Sequence, residues 1–506
     1  MKIKTSPLIL IISFLLLSSS FCDDKLFFVL THFRHGARAP IFPTDSATDD
    51  FGMEWKTPGE LSLGGHRMHY LLGAYNRLRY IENENQNFNF LSKTFDPHEI
   101  YVISSDYNRT FQSAYSQLQG LYPPDESKTL NDKQKKYSIP ELPKDEIEKL
   151  DSTIENLGDA YLPNYINLLP VHNFQHNDFI YRNFDNPKCK TKTYELMKKN
   201  INNDIIQARL KTFKENWQEY FENFFVNEKK KEYDYETVEK LADLFITDIS
   251  EGFEFKQFKD ETKLNETQLE EIYYFFVEFV GRTMNNYQYG DPERKLIKLD
   301  MSPLFKEMIE YIKRRIKREF DLQEEQPINP NDYSCPKLVM VSGHDSMISV
   351  MLLFLGLMYD DPQKFWKVPV YAANIAFEVY NTKETFSIED YSQYKIKVFF
   401  NGESIKDENN EDVSFYLDDF IERVNNIAWG KDEIYDFCGI VEKEIIYINE
   451  TINITETKTV IEKDETLAVV FGVISAIFLV ISVVLFILWR KSKISSEKIE
   501  EGTLVN

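Results

Sequence analysis

The sequence is poor in the residues that build metal centres, and it has no surplus of positive charge. Its 506 residues include only 4 Cys and 8 His, and no C-x-x-C pair or His-rich run has the spacing of a metal site. Acidic residues outnumber basic ones by 82 to 59, for a net charge of −23. This balance excludes nucleic acid as a partner and a broadly basic surface. We therefore expect no metal and no other cofactor, and positive charge concentrated in one pocket.

Two apolar runs stand near the ends of the chain. Met1 to Cys22 starts with lysines, continues through an apolar core and closes with a serine run, which is typical of a secretory signal peptide. Leu467 to Trp489 carries no charged residue and is long enough to cross a bilayer. Because Arg490 and Lys491 follow it directly, the tail is expected in the cytosol. The sequence thus predicts a single-pass type I membrane protein whose main domain is luminal or extracellular.

Cleavage after Cys22 would leave three cysteines, at positions 189, 335 and 438. In an oxidising compartment they can form at most one intramolecular disulfide, and spacing alone does not decide which pair forms it. Three sequons are expected to carry N-glycans: those at Asn265, Asn449 and Asn453.

The chain is organised around one stretch near its start, where an apolar run ends in cationic residues. Leu26 to Leu30 has the length and composition of a strand buried on both faces. Arg34, His35 and Arg38 follow it within a complete R-H-G-x-R-x-P pattern. Arginine offers a fixed fork of donors that matches phosphate oxygens, and neutral imidazole can attack phosphorus. A histidine beside an arginine usually lies at the surface without a function, but the complete pattern favours a phosphate site. Gly36 would let the backbone approach the bound anion closely.

Two further apolar strands end in groups that can bind an anion. Tyr101 to Ile103 is followed by Arg109, and Lys337 to Ser342 is followed by His344 and Asp345. In a parallel sheet the carboxyl ends of the strands lie at one edge, so these side chains and those of the first motif would share a crevice. The sequence therefore predicts one phosphate-binding crevice built from three strand ends.

These patterns predict an α/β fold in which a mostly parallel sheet is flanked by helices and carries a large inserted helical cap. Leu61 to Tyr80 has apolar residues at helical spacing, which we interpret as a core-facing stripe. Ile375 to Tyr380 and Lys395 to Phe400 favour two strands that pair with each other. The predicted segments are a signal peptide (1–22), the α/β domain in two parts (23–124 and 330–440), the helical cap (125–329), a glycosylated stalk (441–466), a transmembrane helix (467–489) and a cytosolic tail (490–506).

The chain resembles the histidine acid phosphatases, a branch of the histidine phosphatase superfamily. Three features carry the resemblance: the R-H-G-x-R-x-P pattern, the arginine after the second strand and the His-Asp pair after the third. The resemblance implies that His35 is the nucleophile and that Asp345 gives a proton to the leaving alcohol. It assigns phosphate binding to four side chains: Arg34, Arg38, Arg109 and His344. It also favours a disulfide between Cys189 and Cys438, with Cys335 left out.

The chain departs from the pattern of that family in several places. Position 37 is Ala where relatives often have an acidic residue, and Asn374 stands where they commonly have a cysteine. The helical insert is longer than usual, so the roof of the pocket and the choice of substrate are not carried over. The sequon at Asn108 adjoins Arg109, and we expect it to stay bare because a glycan there would block the substrate.

The resulting interpretation is a membrane-anchored acid phosphatase that hydrolyses small-molecule phosphate monoesters at acid pH through a phosphohistidine. The alternatives are an inositol-polyphosphate phosphatase or phytase, and a non-catalytic surface receptor ectodomain. A phytase needs extra Lys and Arg around the pocket, which this acidic chain does not supply. Loss of catalysis should show in the nucleophile or the acid, and both are present. The lysosome, a vacuole and the cell surface stay open as destinations, and so does a homodimer.

Overall fold

The computed structural model describes much of the chain up to residue 440. The described residues are 24–41, 57–82, 90–173, 188–201, 204–221, 233–252, 265–289, 293–327, 329, 331–357, 368–407 and 409–440. All of them belong to the first of two compact units, residues 1–441. Among these residues no helix combines the length and the apolar character needed to span a bilayer. The predicted signal peptide, stalk, transmembrane helix and tail lie outside the described residues.

An eight-stranded sheet forms the centre of the described fold. Its strands are β1 (Lys25–Arg34), β2 (Ile100–Ser104), β3 (His172–Asn173), β4 (Leu338–Gly343), β5 (Asn374–Asn381), β6 (Tyr394–Phe400), β7 (Glu403–Ser404) and β8 (Ser414–Tyr416). They lie in the order β3-β2-β4-β1-β5-β6-β7, and β8 pairs with β6. The predicted pairing of β5 with β6 is confirmed.

The sheet is mixed, which corrects the expectation of a mostly parallel sheet. Strands β3, β2, β4 and β1 are parallel to one another, whereas β5 to β8 pair antiparallel. The antiparallel pairing of β5 with β1 follows from a contact at the end of β1. Ala372 donates its N–H to the carbonyl of His35, with an N···O distance of 3.2 Å. Because β5 starts beside the end of β1, it runs back along β1 and can pair only as an antiparallel strand.

Helices flank the sheet and fill the long connection between β3 and β4. They are α1 (Leu63–Tyr80), α2 (Asn108–Leu121), α3 (Asp132–Tyr137), α4 (Lys144–Glu148), α5 (Asp151–Leu157), α6 (Lys190–Ile201), α7 (Asp204–Asn216), α8 (Gln218–Phe221), α9 (Tyr235–Ser250), α10 (Glu266–Tyr289), α11 (Lys295–Gln323), α12 (Asp345–Phe354), α13 (Leu417–Ile427) and α14 (Lys431–Cys438). The α/β class with flanking helices is therefore confirmed.

Helix α1 forms where it was predicted but buries a different face. Leu63, Leu71 and Leu78 of the apolar stripe are exposed, with 87%, 55% and 61% of their surface accessible. The buried face includes Gly73, which packs against α2. A Cβ atom at Gly73 would lie 1.9 Å from the carbonyl oxygen of Gln117. Since only glycine permits this backbone contact, small and polar residues form the α1–α2 interface, and the apolar stripe predicted the wrong face.

Apolar cores lie on both faces of the sheet, and β1 contributes to each. Phe28 and Leu30 join the core formed with α11, α12 and α13. Val29 and Phe33 join the core formed with α1 and α2. All but the first residue of β1 are buried. The prediction of a first strand buried on both faces is confirmed, and such a strand gives a rigid base for the residues that follow it.

A separate core lies among helices α7 to α10, away from the strands. It is built largely from phenylalanines that are almost completely inaccessible: Phe213, Phe221, Phe245, Phe276 and Phe279. Helix α11 also falls within the range 125–329 predicted as the cap, yet its apolar side chains pack in a core of the sheet. The helices that lie over the end of β1 are thus α9 and α10 and not α11.

A disulfide joins Cys189, immediately before α6, to Cys438 at the end of α14, with Cα atoms 4.5 Å apart. This confirms the pairing that the resemblance favoured, and Cys335 is not in a disulfide. The bond links segments that are 249 residues apart in sequence, so it restricts the unfolded chain strongly.

Glu378 in β5 is a carboxylate buried to 1% exposure between the sheet and α1. One oxygen accepts hydrogen bonds from Arg79 Nε at 2.6 Å and from the Tyr80 hydroxyl at 2.8 Å. The other oxygen accepts from the Tyr380 hydroxyl at 2.6 Å. A buried carboxylate is tolerated only with partners of this kind. The network therefore attaches the last turn of α1 to the sheet.

Replacing Glu378 with alanine is expected to lower the free energy of unfolding by about 3 kcal/mol or more, because Arg79 and two tyrosine hydroxyls lose their acceptor. Urea unfolding measures this loss. Glu82→Gln is the matched control, since Glu82, just after the end of α1, pairs with Arg77 of that helix at the surface. An ion pair there contributes about 0–1 kcal/mol. Equal losses in the two variants would show that the buried network does not stabilise the fold.

Candidate active site

The ends of β1, β2 and β4 meet at one edge of the sheet. Arg34 at the end of β1 is in register with Gly343 of β4, and Ser104 at the end of β2 is in register with Ser342. Immediately after β1, the N–H of His35 donates to the Gly343 carbonyl, with an N···O distance of 2.9 Å. The predicted meeting of three strand ends is confirmed, and it brings the six predicted site residues together.

Arg34 is buried to 4% exposure and is held on several sides. Its Nη2 forms an ion pair with Asp345 Oδ2 at 2.9 Å, and its Nη1 donates to the Pro369 carbonyl. The guanidinium carbon lies 4.1 Å from the centre of the Tyr371 ring, a cation–π contact. The charge of Arg34 is thus fixed in place beside the predicted proton donor.

His35 has its ring fixed in one tautomer. Nδ1 lies 2.8 Å from the Gly36 carbonyl oxygen. Because a carbonyl can only accept, Nδ1 carries the proton and Nε2 keeps its lone pair. Burial, followed by the charges of Arg34, Arg38 and Arg109, lowers the pKa of His35 well below its usual 6.5. The imidazole is therefore neutral over the acidic range in which an ordinary histidine would be protonated.

Arg38 is the second buried arginine of the motif, at 5% exposure. Its Nη2 forms an ion pair with Asp243 Oδ1 of α9 at 2.7 Å, and its Nη1 donates to the Ala39 carbonyl at 2.9 Å. Burial, the largest single cause, would lower the pKa of Arg38, but the interactions with Asp243, Tyr371 and Asp345 together outweigh it and the pKa is raised. The buried Nε–H groups of Arg34 and Arg38 have no acceptor among the described residues. The oxygens of an anion could accept from these two donors.

Arg109 and His344 complete the group of predicted phosphate ligands. Arg109 lies in the first turn of α2, and its guanidinium carbon is 4.4 Å from the centre of the Tyr107 ring. His344 immediately follows β4, with its ring centre 5.5 Å from that of His35. His344 Nε2 lies 3.0 Å from the hydroxyl oxygen of Ser105, which in turn donates to Thr110. That hydroxyl therefore accepts from His344, which orients the imidazole at the crevice.

The sequence profile of the histidine phosphatase superfamily (branch 2) matches residues 25–401, which include every predicted site residue. The chain belongs to this family. Prostatic acid phosphatase of Mus musculus is 40% identical over 121 residues, which cover 22% of this chain and 29% of the mouse protein. Lysosomal acid phosphatase of Xenopus laevis is 37% identical over 109 residues, which cover 21% of this chain and 23% of that protein. The matched stretches thus span less than a third of these relatives.

A solved structure has a fold similar to that of this histidine phosphatase. The phytase of Klebsiella sp. ASR1 superposes with a TM-score of 0.50 at 11% identity, covering 80% of this chain and 97% of the phytase. At this identity the likeness concerns the fold alone. It agrees with a central sheet flanked by helices and with helices inserted along the chain.

Several residues at the site of this branch 2 histidine phosphatase were not predicted from the sequence. Asp243 contacts Arg38 across 205 residues of sequence, and it lies in a helix with no motif around it. Tyr371, which packs on Arg34, lies in an irregular segment just before β5 and carries no local signal either. Ser105 could have been found, because it is a polar residue that directly follows a buried strand.

Gly36 makes a backbone contact with α1 that the sequence did not reveal. A Cβ atom at Gly36 would lie 2.5 Å from the carbonyl oxygen of Gly65 in α1. Its N–H donates to the hydroxyl of Ser113 in α2, with an N···O distance of 3.1 Å. The glycine therefore lets the motif loop, the segment from His35 to Pro40, pack directly on the first turn of α1. Close backbone approach to the anion stays a prediction.

Asn108, whose sequon was expected to stay bare, lies at the start of α2 beside the site. Its side-chain amide donates to the Glu60 carboxylate at 2.8 Å. A glycan on this amide would replace that contact and stand next to Arg109. The absence of a glycan there stays a prediction.

Proposed function

We propose that this chain is an acid phosphatase that hydrolyses phosphate monoesters through a phosphohistidine at His35. The observation that carries the proposal is the state of the His35 ring. Nδ1 is committed to the Gly36 carbonyl at 2.8 Å, and burial and three arginines depress the pKa of the ring. The result is a neutral imidazole with a lone pair at Nε2 inside a cationic crevice, which is what nucleophilic attack on a phosphate requires.

The cationic groups would bind and polarise the phosphoryl group. Arg34, Arg38 and Arg109 can each donate to its oxygens, and the first two supply buried Nε–H donors. His344, whose Nε2 donates to Ser105, can donate from Nδ1 when its ring is protonated. Phosphoryl transfer depends mainly on alignment and on neutralisation of charge at these oxygens. The same field repels a proton from His35, so binding and activation of the nucleophile have a common source.

The reaction proceeds in two displacements. Nε2 of His35 attacks phosphorus, the bond from phosphorus to the ester oxygen breaks, and Asp345 transfers its proton to the leaving alcohol. Water then attacks the phosphohistidine, Asp345 takes up a proton from it, and orthophosphate leaves with His35 neutral again. Asp345 is paired with Arg34 at 2.9 Å. A phosphate that draws Arg34 toward its own oxygens would weaken that pair and leave the carboxyl closer to the leaving group.

The pKa of His35 gives a pH dependence that tests the proposal. The neutral ring is the active form, so His35 limits the activity only when the pH falls through the depressed pKa of this ring. We expect kcat/KM for p-nitrophenyl phosphate, corrected for ionisation of the substrate, not to fall between about pH 7 and pH 5. A histidine of ordinary pKa would lose about 25-fold over this range. A profile with an acid limb near pH 6.5 would contradict the assignment of His35, and no turnover at any pH would favour a binding site without catalysis.

The membrane anchor and the compartment are also proposals. The uncharged run 467–489 with basic residues after it supports a type I anchor. The lysosomal and prostatic names of the relatives support a luminal or extracellular site of action. Alkaline extraction of membranes tests the anchor. The full-length chain should resist extraction, and a chain ending at Glu465 should be released.

A further inference from the structure

At successive turns, one face of helix α9 contacts the segment Arg34 to Ile41 and the residues around it. Asp243, Thr247 and Glu251 are spaced by four residues and therefore share that face. Thr247 Oγ1 lies 3.1 Å from the hydroxyl of Tyr371, whose ring packs on a motif arginine. Glu251, at the end of the helix, accepts from the hydroxyl of Ser62 at the start of α1. The helix thus holds the surroundings of the motif, and Asp243 contacts the motif itself.

Asp243 uses both carboxylate oxygens on the loop. Oδ1 accepts from Arg38 Nη2 at 2.7 Å, and Oδ2 accepts from the backbone N–H of Ile41 at 2.6 Å. The Asp243 and Arg38 side chains are only 13% and 6% exposed. One carboxylate therefore fixes two points of the segment from Arg38 to Ile41.

A second carboxyl on α9 lies near the first but behaves differently. Burial, assisted by the charge of Asp243, raises the pKa of Glu239 to about 7. At acid pH Glu239 is therefore largely uncharged. Of these two carboxyl groups, Asp243 is the one that interacts with Arg38 as a charged group.

We propose that Asp243 is a positioning residue for phosphate binding, which orients the Arg38 guanidinium toward the phosphoryl oxygens by holding Arg38 and the backbone of Ile41. The proposal rests on the proposed function, since it assumes that Arg38 binds phosphate. The negative charge of Asp243 acts in the opposite sense, because it repels the anion. The gain in phosphate affinity from a correctly oriented Arg38 outweighs this repulsion. Without Asp243, the Arg38 side chain would lose conformational entropy each time phosphate binds.

The test measures orthophosphate binding directly, by titration calorimetry on the full-length chain in detergent at acid pH. Asp243→Ala is expected to weaken phosphate binding by about tenfold or more. Asp243→Asn keeps one acceptor for Arg38 and should lie between that variant and the wild type. Glu236→Gln is the matched control, because it removes a carboxylate of the same helix that pairs with Lys240 at the surface. It should leave binding unchanged.

Each other result has a distinct meaning. Tighter phosphate binding by Asp243→Ala would show that charge outweighs orientation and would overturn the proposal. Unchanged affinity with a lowered melting temperature would reduce Asp243 to a structural role and would also overturn it. Turnover of p-nitrophenyl phosphate is measured on the same samples. If the wild type binds phosphate and Asp243→Ala weakens that binding, but the wild type has no turnover, the phosphatase is refuted and the positioning role is retained. A wild type that neither binds phosphate nor turns over substrate would refute both.

Discussion

Replacing His35 with alanine should lower kcat for p-nitrophenyl phosphate by about 10⁴-fold or more. The reason is that Nε2 of this ring forms the first new bond to phosphorus, and without it there is no phosphoenzyme for water to attack. The buried arginines remain in the variant, and they should still bind orthophosphate. The expected result is therefore a folded protein that binds phosphate and does not turn over. Rapid acid-free quenching with labelled substrate should trap a phosphorylated wild type and no labelled variant.

His66→Ala is the control for the loss of an imidazole. His66 lies in α1, where its Nδ1 is 2.7 Å from the hydroxyl of Ser116, and the mechanism gives it no role. Its activity should stay within about twofold of the wild type, as for substitutions away from a site. The nucleophile would have to be sought elsewhere if His35→Ala kept more than about a hundredth of the wild-type rate or if the variant were still phosphorylated.

The sequence was sufficient to predict those parts of the site that depend on local order along the chain. An apolar strand followed at once by polar groups places those groups at the edge of the sheet, whatever packs around it. This holds for His35 after β1, for Arg109 after β2 and for His344 after β4. The meeting of these three ends needs only parallel neighbours, and the three strands involved are indeed parallel.

The remaining features depend on contacts between distant segments and could not be predicted in this way. The direction of β5 follows from where the chain returns to β1, which no local pattern specifies. The buried face of α1 was mispredicted because a backbone contact through Gly73 replaced apolar packing. Asp243 is one carboxylate among many in an acidic chain, and only the fold places it on Arg38. Charged partners of a motif are therefore the part of a site that sequence patterns identify least well.

Asp345 is placed to serve as an acid, and its substitution tests the protonation step alone. It is the first residue of α12, with Oδ2 on Arg34 Nη2 at 2.9 Å and Oδ1 on the Ser346 N–H at 2.7 Å. Asparagine has the same shape and still offers one oxygen to Arg34, but it has no acidic proton. Asp345→Asn should therefore keep the fold and the phosphate site while it removes the proton donor.

The effect of Asp345→Asn should depend on the leaving group. An alkyl alkoxide leaves only with a proton, so kcat/KM for β-glycerophosphate should fall by about 10²–10⁴-fold. The p-nitrophenolate ion leaves without one, so the burst of p-nitrophenol that accompanies phosphorylation of His35 should stay nearly as fast as in the wild type. The second displacement also uses Asp345, and a long-lived phosphoenzyme should then accumulate. Full turnover of β-glycerophosphate by the variant would exclude Asp345 as the acid, and an equal loss with both substrates would assign it to phosphate binding through Arg34.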